Sequence, residues 1–286
     1  MNYILKHYYG MEVNYNPCEL FQYQGHIYCL IPVENIHYFL EIYQHYRYLV
    51  YQCQCPFYTL VKNGNEDIIS QGYILMVYHD MPFDFQNYLQ TFLQPIPQQK
   101  IAIKQIKEQW IRKIDDVKDL VKQYAYSFKH NPEIISLIYY YTGLAENCIC
   151  ILNEILSIHK DASIFMGLSL AVTVKNSIQD LMNPAHYIIS SRMRHIVYLI
   201  KSHLITLDML KKLLEYQYFD IYEILYLYAR IFYPSLFFDE ILMCKLSQER
   251  VDFYFQAIED EKKLYRDITH LLSFYVSLPK ISWINR

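Results

Sequence analysis

The stretch Asn131 to Ile155, NPEIISLIYYYTGLAENCICILNEI, limits the possible folds more than any other part of the chain. Pro132 suits the first position of a helix, where its missing N–H would have no helical partner anyway. Ile135, Ile138, Leu144, Ile149, Leu152 and Ile155 then recur near helical spacing, mixed with Tyr139 to Tyr141. Tyr and Cys occupy much of the remaining surface, so few positions look made for water. A helix apolar nearly all round is a central one, with other elements packed around it. About 24 residues would run roughly 36 Å, the width of a small domain. Glu146 and Asn147 make its middle too polar for a membrane span, which wants about 20 mostly apolar residues.

The 286 residues allow ample core, and 53% hydrophobic against 19% charged residues argues against disorder. The formal net charge is -3 and no basic block stands out, which argues against nucleic acid as a partner. The N-terminus, MNYILKHYYGMEV, has no apolar signal region, and no transmembrane segment is expected. Seven cysteines, Cys18, Cys29, Cys53, Cys55, Cys148, Cys150 and Cys244, read as reduced, buried thiols of a cytosolic protein. Cys53-Gln54-Cys55 has no second pair at matching spacing, so no metal and no cofactor are expected. The 31 tyrosines read as amphipathic filler at core edges rather than as a cross-linking surface.

Along the chain, Glu19–Tyr23 and Gly25–Val33 read as a hairpin and Asn35–Tyr51 as a helix. Phe57–Val61 and Ile68–Tyr78 read as further strands around the turn Asn63-Gly64-Asn65. Residues 1–80 thus form a small α/β N-lobe. Residues 81–100, with Pro82, Pro95 and Pro97, read as a hinge or connector. Residues 101–286 form a larger, mainly helical C-lobe. An amphipathic helix at 101–129 precedes the central one, and a less regular segment at 157–191 follows it. Helices near 193–203, 207–215, 220–232, 238–245 and 249–277 complete it. The fold class is α+β, a two-lobed protein-kinase-like layout; fold alone does not give function.

Several stretches fall in step with one family. Leu144-Ala145-Glu146-Asn147-Cys148-Ile149, Asn183-Pro184 followed by an apolar strand and Ser191-Arg192-Met193-Arg194, and Leu227 to Ser235 (LYARIFYPS) are three of them. Trp110 to Asp115 (WIRKID) and Tyr28 to Val33 are two more. In this order they resemble bacterial endospore-coat-associated kinase-like proteins of the CotS/YutH type, relatives of protein kinases and of aminoglycoside and choline phosphotransferases. The resemblance covers nearly the whole chain. It implies residence in the mother-cell cytoplasm and then the spore coat, with coat or sporulation proteins as partners. Oligomeric state is left open.

Phosphoryl transfer is mostly positioning and charge neutralisation. The six glycines include no G-x-G spacing, and the strand His26 to Val33 has no Lys to meet a nucleotide. Glu34 and Glu41 then lack a cationic partner in that strand. His159-Lys160-Asp161 has the His-x-Asp form of a catalytic loop, but the position five beyond Asp161 is Met166 rather than Asn. The resemblance places the loop at Ser163 to Leu168, with Met166 for the usual His, and puts Ser190 where the metal-binding Asp would stand. Asp180 is a further carboxylate candidate. Arg192, Arg194 and Lys201 form a basic cluster that could grip an anion or pair with carboxylates such as Glu146. The expectation is a catalytically inactive pseudokinase, not an enzyme, acting as a scaffold by protein–protein contacts. The alternative is a divergent Mg-dependent small-molecule phosphotransferase using the inter-lobe cleft, with His159, Asp161 and Asp180 as its candidates. His186, His195 and His203 read as structural.

Overall fold

The computed structural model describes residues 2–13, 19–123, 132–171, 177–216, 218–243 and 247–279. In chain order the elements are α1 (Asn2–Tyr9), β1 (Leu20–Tyr23), β2 (His26–Pro32), α2 (Ile36–Cys53), β3 (Phe57–Val61), β4 (Tyr73–His79), α3 (Phe85–Phe92), β5 (Lys100–Ala102), α4 (Ile103–Gln123), α5 (Pro132–Ile158), β6 (Ser163–Leu170), α6 (Ile178–Leu181), β7 (Tyr187–Ser191), α7 (Arg192–Lys201), α8 (Leu207–Tyr216), α9 (Ile221–Phe232), α10 (Ser235–Leu242) and α11 (Gln248–Leu272). A small sheet region precedes a helical part, as the α+β expectation has it. The compact units are cut differently from the expected lobes. One is Met1–Ile96 with Gly167–Leu204, the other Pro97–Met166 with Ile205–Arg286.

The first unit holds a four-stranded antiparallel sheet in the order β1-β2-β4-β3. The β1–β2 hairpin closes on Gln24-Gly25, both at positive φ (47° and 82°), the backbone a two-residue hairpin needs. Alternate residues of a strand face opposite sides. One face carries Leu30 and Leu75 and is covered by Ile4 and Leu5 of α1 and by Met11. The helix α1 was not anticipated, whereas the expected hairpin at 19–33 is present as β1 and β2. α2 starts at Asn35, whose side chain accepts the Tyr38 N–H, and buries Phe39, Ile42, Tyr43, Tyr46 and Leu49. Its tyrosines tend the open edge of β3. The Tyr46 hydroxyl accepts the Tyr58 N–H (3.0 Å), while that of Tyr43 accepts from Leu60 and donates to the Tyr58 carbonyl, each at 3.2 Å. Edge backbone is thereby satisfied without another strand.

Three local expectations change. Strand β4 begins at Tyr73 rather than Ile68, because Gln71 and Gly72 take positive φ and turn the chain. The expected connector contains α3. Asp84 accepts the Gln86 and Asn87 N–H groups to start it, and Tyr88, Leu89 and Phe92 are buried, which anchors it in the first unit. The segment thought irregular carries β6 and β7, part of a three-stranded sheet in the order β5-β6-β7.

In the second unit β5 pairs antiparallel with the start of β6, Ile101 opposite Ile164. α5 is its central helix and buries Leu137, Ile138, Tyr141, Leu144, Ala145, Cys148, Ile151, Leu152 and Ile155 against α4, α9 and α11. It is long and apolar enough to cross a membrane by length and composition, but these burials make it a core helix. Trp110 of α4 stacks on Tyr233 at 4.1 Å, and Phe232 meets Tyr265 at 4.4 Å. Lys113 and Asp239 form an ion pair between α4 and α10. Among the described cysteines Cys29, Cys53, Cys55 and Cys148 are buried thiols outside any disulfide, whereas Cys150 is exposed on α5, against expectation. Cys18 and Cys244 lie outside the described residues.

Candidate functional site

The second half of β6, with β7 and the start of α7, carries the positions that the family resemblance marks for phosphoryl transfer. Gly167 is needed there. A Cβ at this position would stand 3.1 Å from Arg192 Cβ and 3.3 Å from the Gln94 carbonyl oxygen, so only glycine lets β6 approach so closely. Leu168 and Leu170 point into the core, 1% and 0% exposed. Ser169 donates to the Ser191 carbonyl at 2.8 Å, and the Ser191 hydroxyl accepts the Met193 N–H to start α7. Met166 and Ser190 are half-buried. A thioether, a core leucine and a neutral hydroxyl do not fit Mg²⁺, which wants carboxylate oxygens at short range. Among the described residues no cluster of three His, Cys, Asp or Glu side chains could hold a metal.

The other candidates are scattered. His159, Lys160 and Asp161 are all exposed in the turn between α5 and β6, where the His159 ring lies 5.8 Å from Tyr222. Asp180 belongs to the first unit, on the short α6, and its carbonyl is 2.8 Å from His186 Nδ1. The segment around it lies against the sheet face opposite α1. Tyr58 donates to the Gln179 carbonyl at 3.2 Å, and the Asn183 amide lies 3.9 Å from Cys29 Sγ. Burial and the neighbouring Cys29, Tyr78 and Asp180 raise the Tyr58 pKa. Glu34 and Glu41 are exposed. The guanidinium groups of the basic cluster point at backbone. Arg192 donates to the Leu93 carbonyl, and Arg194 to those of Leu170 and Ala171. Glu146 is paired instead with Lys118 at 2.7 Å.

What the structure does assemble here is a buried polar line that sequence reasoning passed over. The Tyr88 hydroxyl lies 3.0 Å from that of Tyr187 and 3.1 Å from His195 Nε2. His195 Nδ1 accepts the Leu170 N–H. Burial pushes the His195 pKa down to about 3 and the phenols of Tyr88 and Tyr187 well up, so all three stay neutral near pH 7. Tyr46 and Phe92 pack on these rings. His195 follows Arg194 in the motif stretch, which was the one signal available. At the nearby end of α2 the Cys53 thiol is eased down by its hydrogen bond with Cys55, whose own thiol is pushed up.

No family model and no curated protein matches the sequence. The fold does match a solved one. A crystal structure of an aminoglycoside phosphotransferase from Alicyclobacillus acidocaldarius subsp. acidocaldarius DSM 446 superposes with a TM-score of 0.60 over 92% of each chain, at 10% identity. The chain therefore has a kinase-like, aminoglycoside-phosphotransferase-like fold. This corrects the expectation that the chain is not an enzyme. The neighbour belongs to a family of enzymes.

Proposed function

We propose that this phosphotransferase-fold protein works in the bacterial spore coat through contacts with other coat or sporulation proteins. The observation that best supports contact work is the set of exposed aromatic side chains, four of them in the second unit. Tyr51, Tyr139, Tyr216, Tyr218 and Phe274 stand 86%, 73%, 79%, 83% and 73% exposed. Aromatic side chains are enriched where proteins meet, because each brings a large apolar area and, in Tyr, a hydroxyl that finds a partner. The coat assignment rests on the family resemblance of residues 28–33, 110–115, 144–149, 183–194 and 227–235. A fluorescent fusion expressed during sporulation tests it. The expected signal is a shell around the forespore, dispersed by Tyr216→Ala with Tyr218→Ala while the melting temperature is kept. A wild-type signal that stays diffuse in the mother cell would end the coat reading.

A second reading draws on the solved neighbour, whose title names an aminoglycoside phosphotransferase. Here the chain passes a phosphoryl group from a nucleotide to a small molecule with metal help, and Asp161 or Asp180 supplies the carboxylate absent at Ser190. A thermal-shift titration with ATP and ADP, with and without Mg²⁺ or Mn²⁺, decides it. This reading expects a metal-dependent rise in melting temperature that Asp161→Ala or Asp180→Ala abolishes. No rise at millimolar nucleotide removes it.

A further inference from the structure

We propose that the groove between α5 and α11 binds a small anionic amphiphile, an apolar body carrying one carboxylate or phosphate. The groove lies wholly in the second unit and holds about 510 Å³, within the range of ligand sites. One wall is Tyr140, Gly143, Leu144 and Asn147, which share a face of α5 at helical spacing; the other is Glu259, Lys262 and Arg266 of α11.

Gly143 is the first argument. Glycine inside a helix costs stability relative to alanine and is kept where something forbids a side chain. Nothing in the protein does so here. A Cβ on Gly143 would meet no atom within 4 Å, unlike one on Gly167, which would press on Arg192. The missing side chain opens the floor of the groove instead, and space for a ligand is what it provides.

The charges are the second argument. Glu259 is taken by Lys262 at 2.8 Å, and Glu261 receives the Tyr141 hydroxyl at 3.2 Å. Arg266 is in no ion pair or side-chain hydrogen bond among the described residues, although its charge reaches Glu259. The lining itself holds Lys262 and Arg266 against Glu259, with the charge of Glu261 felt beside it at Tyr140, and Arg266 is the cation placed to meet a ligand. A guanidinium grips carboxylate or phosphate through two parallel N–H bonds. Asn147 gives its amide N–H to the Gly143 carbonyl at 2.8 Å, which holds its side chain along the helix. The ligand then lays its apolar body along Tyr140 and over the open backbone of Gly143, and its anion on Arg266.

The test is a fluorescence titration of the full chain with anilinonaphthalene sulfonate, competed with decanoate and with neutral decanol. The expected result is saturable binding that decanoate displaces and decanol does not. Gly143→Met should weaken probe binding by about ten-fold, the loss of one good contact, with the melting temperature unchanged or raised. Arg266→Gln should reduce decanoate to the level of decanol. If the methionine variant does not fold, Gly143→Ala replaces it, since its methyl meets nothing in the protein. Weaker binding in that variant supports the site, and unchanged binding overturns it. The proposal is equally overturned if the folded protein does not bind the probe, if decanol competes as well as decanoate, or if Arg266→Gln behaves as wild type.

Discussion

His195 Nε2 donates to the Tyr88 hydroxyl at 3.1 Å, and the surrounding bonds force that direction. His195 Nδ1 already accepts the Leu170 N–H, so a neutral ring carries its proton on Nε2. Tyr187 gives its only hydroxyl proton to the Leu181 carbonyl at 2.7 Å. Tyr88 must then donate to Tyr187. The line runs one way, from Leu170 through His195, Tyr88 and Tyr187 to Leu181, and joins β6, α7, α3, β7 and α6 inside one unit.

The pH dependence of stability follows from this burial. His195 has its pKa lowered from 6.5 to about 3 because the charged ring would lose its hydration. Between those values the unfolded chain binds a proton that the folded chain refuses. Stability is therefore full above about pH 6.5 and falls as pH drops toward 3, by on the order of 4 kcal/mol over the window. Urea midpoints of wild type and His195→Gln, taken from pH 7 to pH 4, should show a steep slope for the first and a shallow one for the second. Equal slopes would mean that His195 titrates as it does in water.

The polarity of the line also fixes how substitutions combine. Tyr88→Phe strands the His195 Nε2–H. Tyr187→Phe strands the Tyr88 hydroxyl proton and the Leu181 carbonyl. Each should cost about 1–3 kcal/mol, the penalty for buried polar groups left unpaired. The double variant strands two groups where the single variants together strand three. It should therefore cost less than their sum by about 1 kcal/mol. Strict additivity in equilibrium denaturation would break the proposed order of donors.

Local patterns of the sequence carried much of this fold and little of its wiring. Helical spacing from Ile135 to Ile155 announced α5, and the Trp110, Ile114 and Val117 stripe announced α4, because each pattern is complete within a few turns. α3 was hidden by the prolines around it, although Asp84 stands as a helix-starting residue just before the apolar positions. For the line from His195 to Tyr187, the sequence offered only the place of His195 after Arg194. Tyr88 lies about a hundred residues from Tyr187 and His195, and a lone His or Tyr within an apolar run looks the same whether or not it has a partner. The motif positions are legible in sequence as residue types, since Met166 and Ser190 are chemically unlike what phosphoryl transfer asks for. Gly143 and Gly167 look alike in sequence, and only their surroundings separate them.

That separation can be measured. Gly143→Ala adds a methyl group to open space in a helix and should stabilise by about 1 kcal/mol through propensity and reduced unfolded-state freedom. Gly167→Ala forces a methyl to within 3.1 Å of Arg192 Cβ and 3.3 Å of the Gln94 carbonyl. It should destabilise by about 1–3 kcal/mol, as overpacking does. Thermal melts of the two variants should move in opposite directions. A shift of the same sign in both would contradict the packing described around β6.

The ion pair that ties α10 to α11 yields the last prediction. Arg250 reaches Glu240 with two nitrogens, Nε at 3.0 Å and Nη2 at 2.6 Å, and Tyr254 donates to the same carboxylate at 3.0 Å. The side chains are only 34% and 19% exposed, so salt screens them less than a surface pair. The hydrogen bond to Glu240 raises the Arg250 pKa further, and the residue stays charged at every working pH. The guanidinium also lies over the Tyr254 ring at 5.1 Å. Lysine keeps the charge but loses the planar fork and the stacking, so Arg250→Lys should cost about 1 kcal/mol. Arg250→Ala should cost roughly twice that, because Glu240 is then left half-buried without a cation. The gap between wild type and Arg250→Lys should persist in molar salt, since it arises from geometry rather than from long-range charge. If lysine proves as stabilising as arginine at low salt, the paired hydrogen bonds and the stacking add nothing beyond charge.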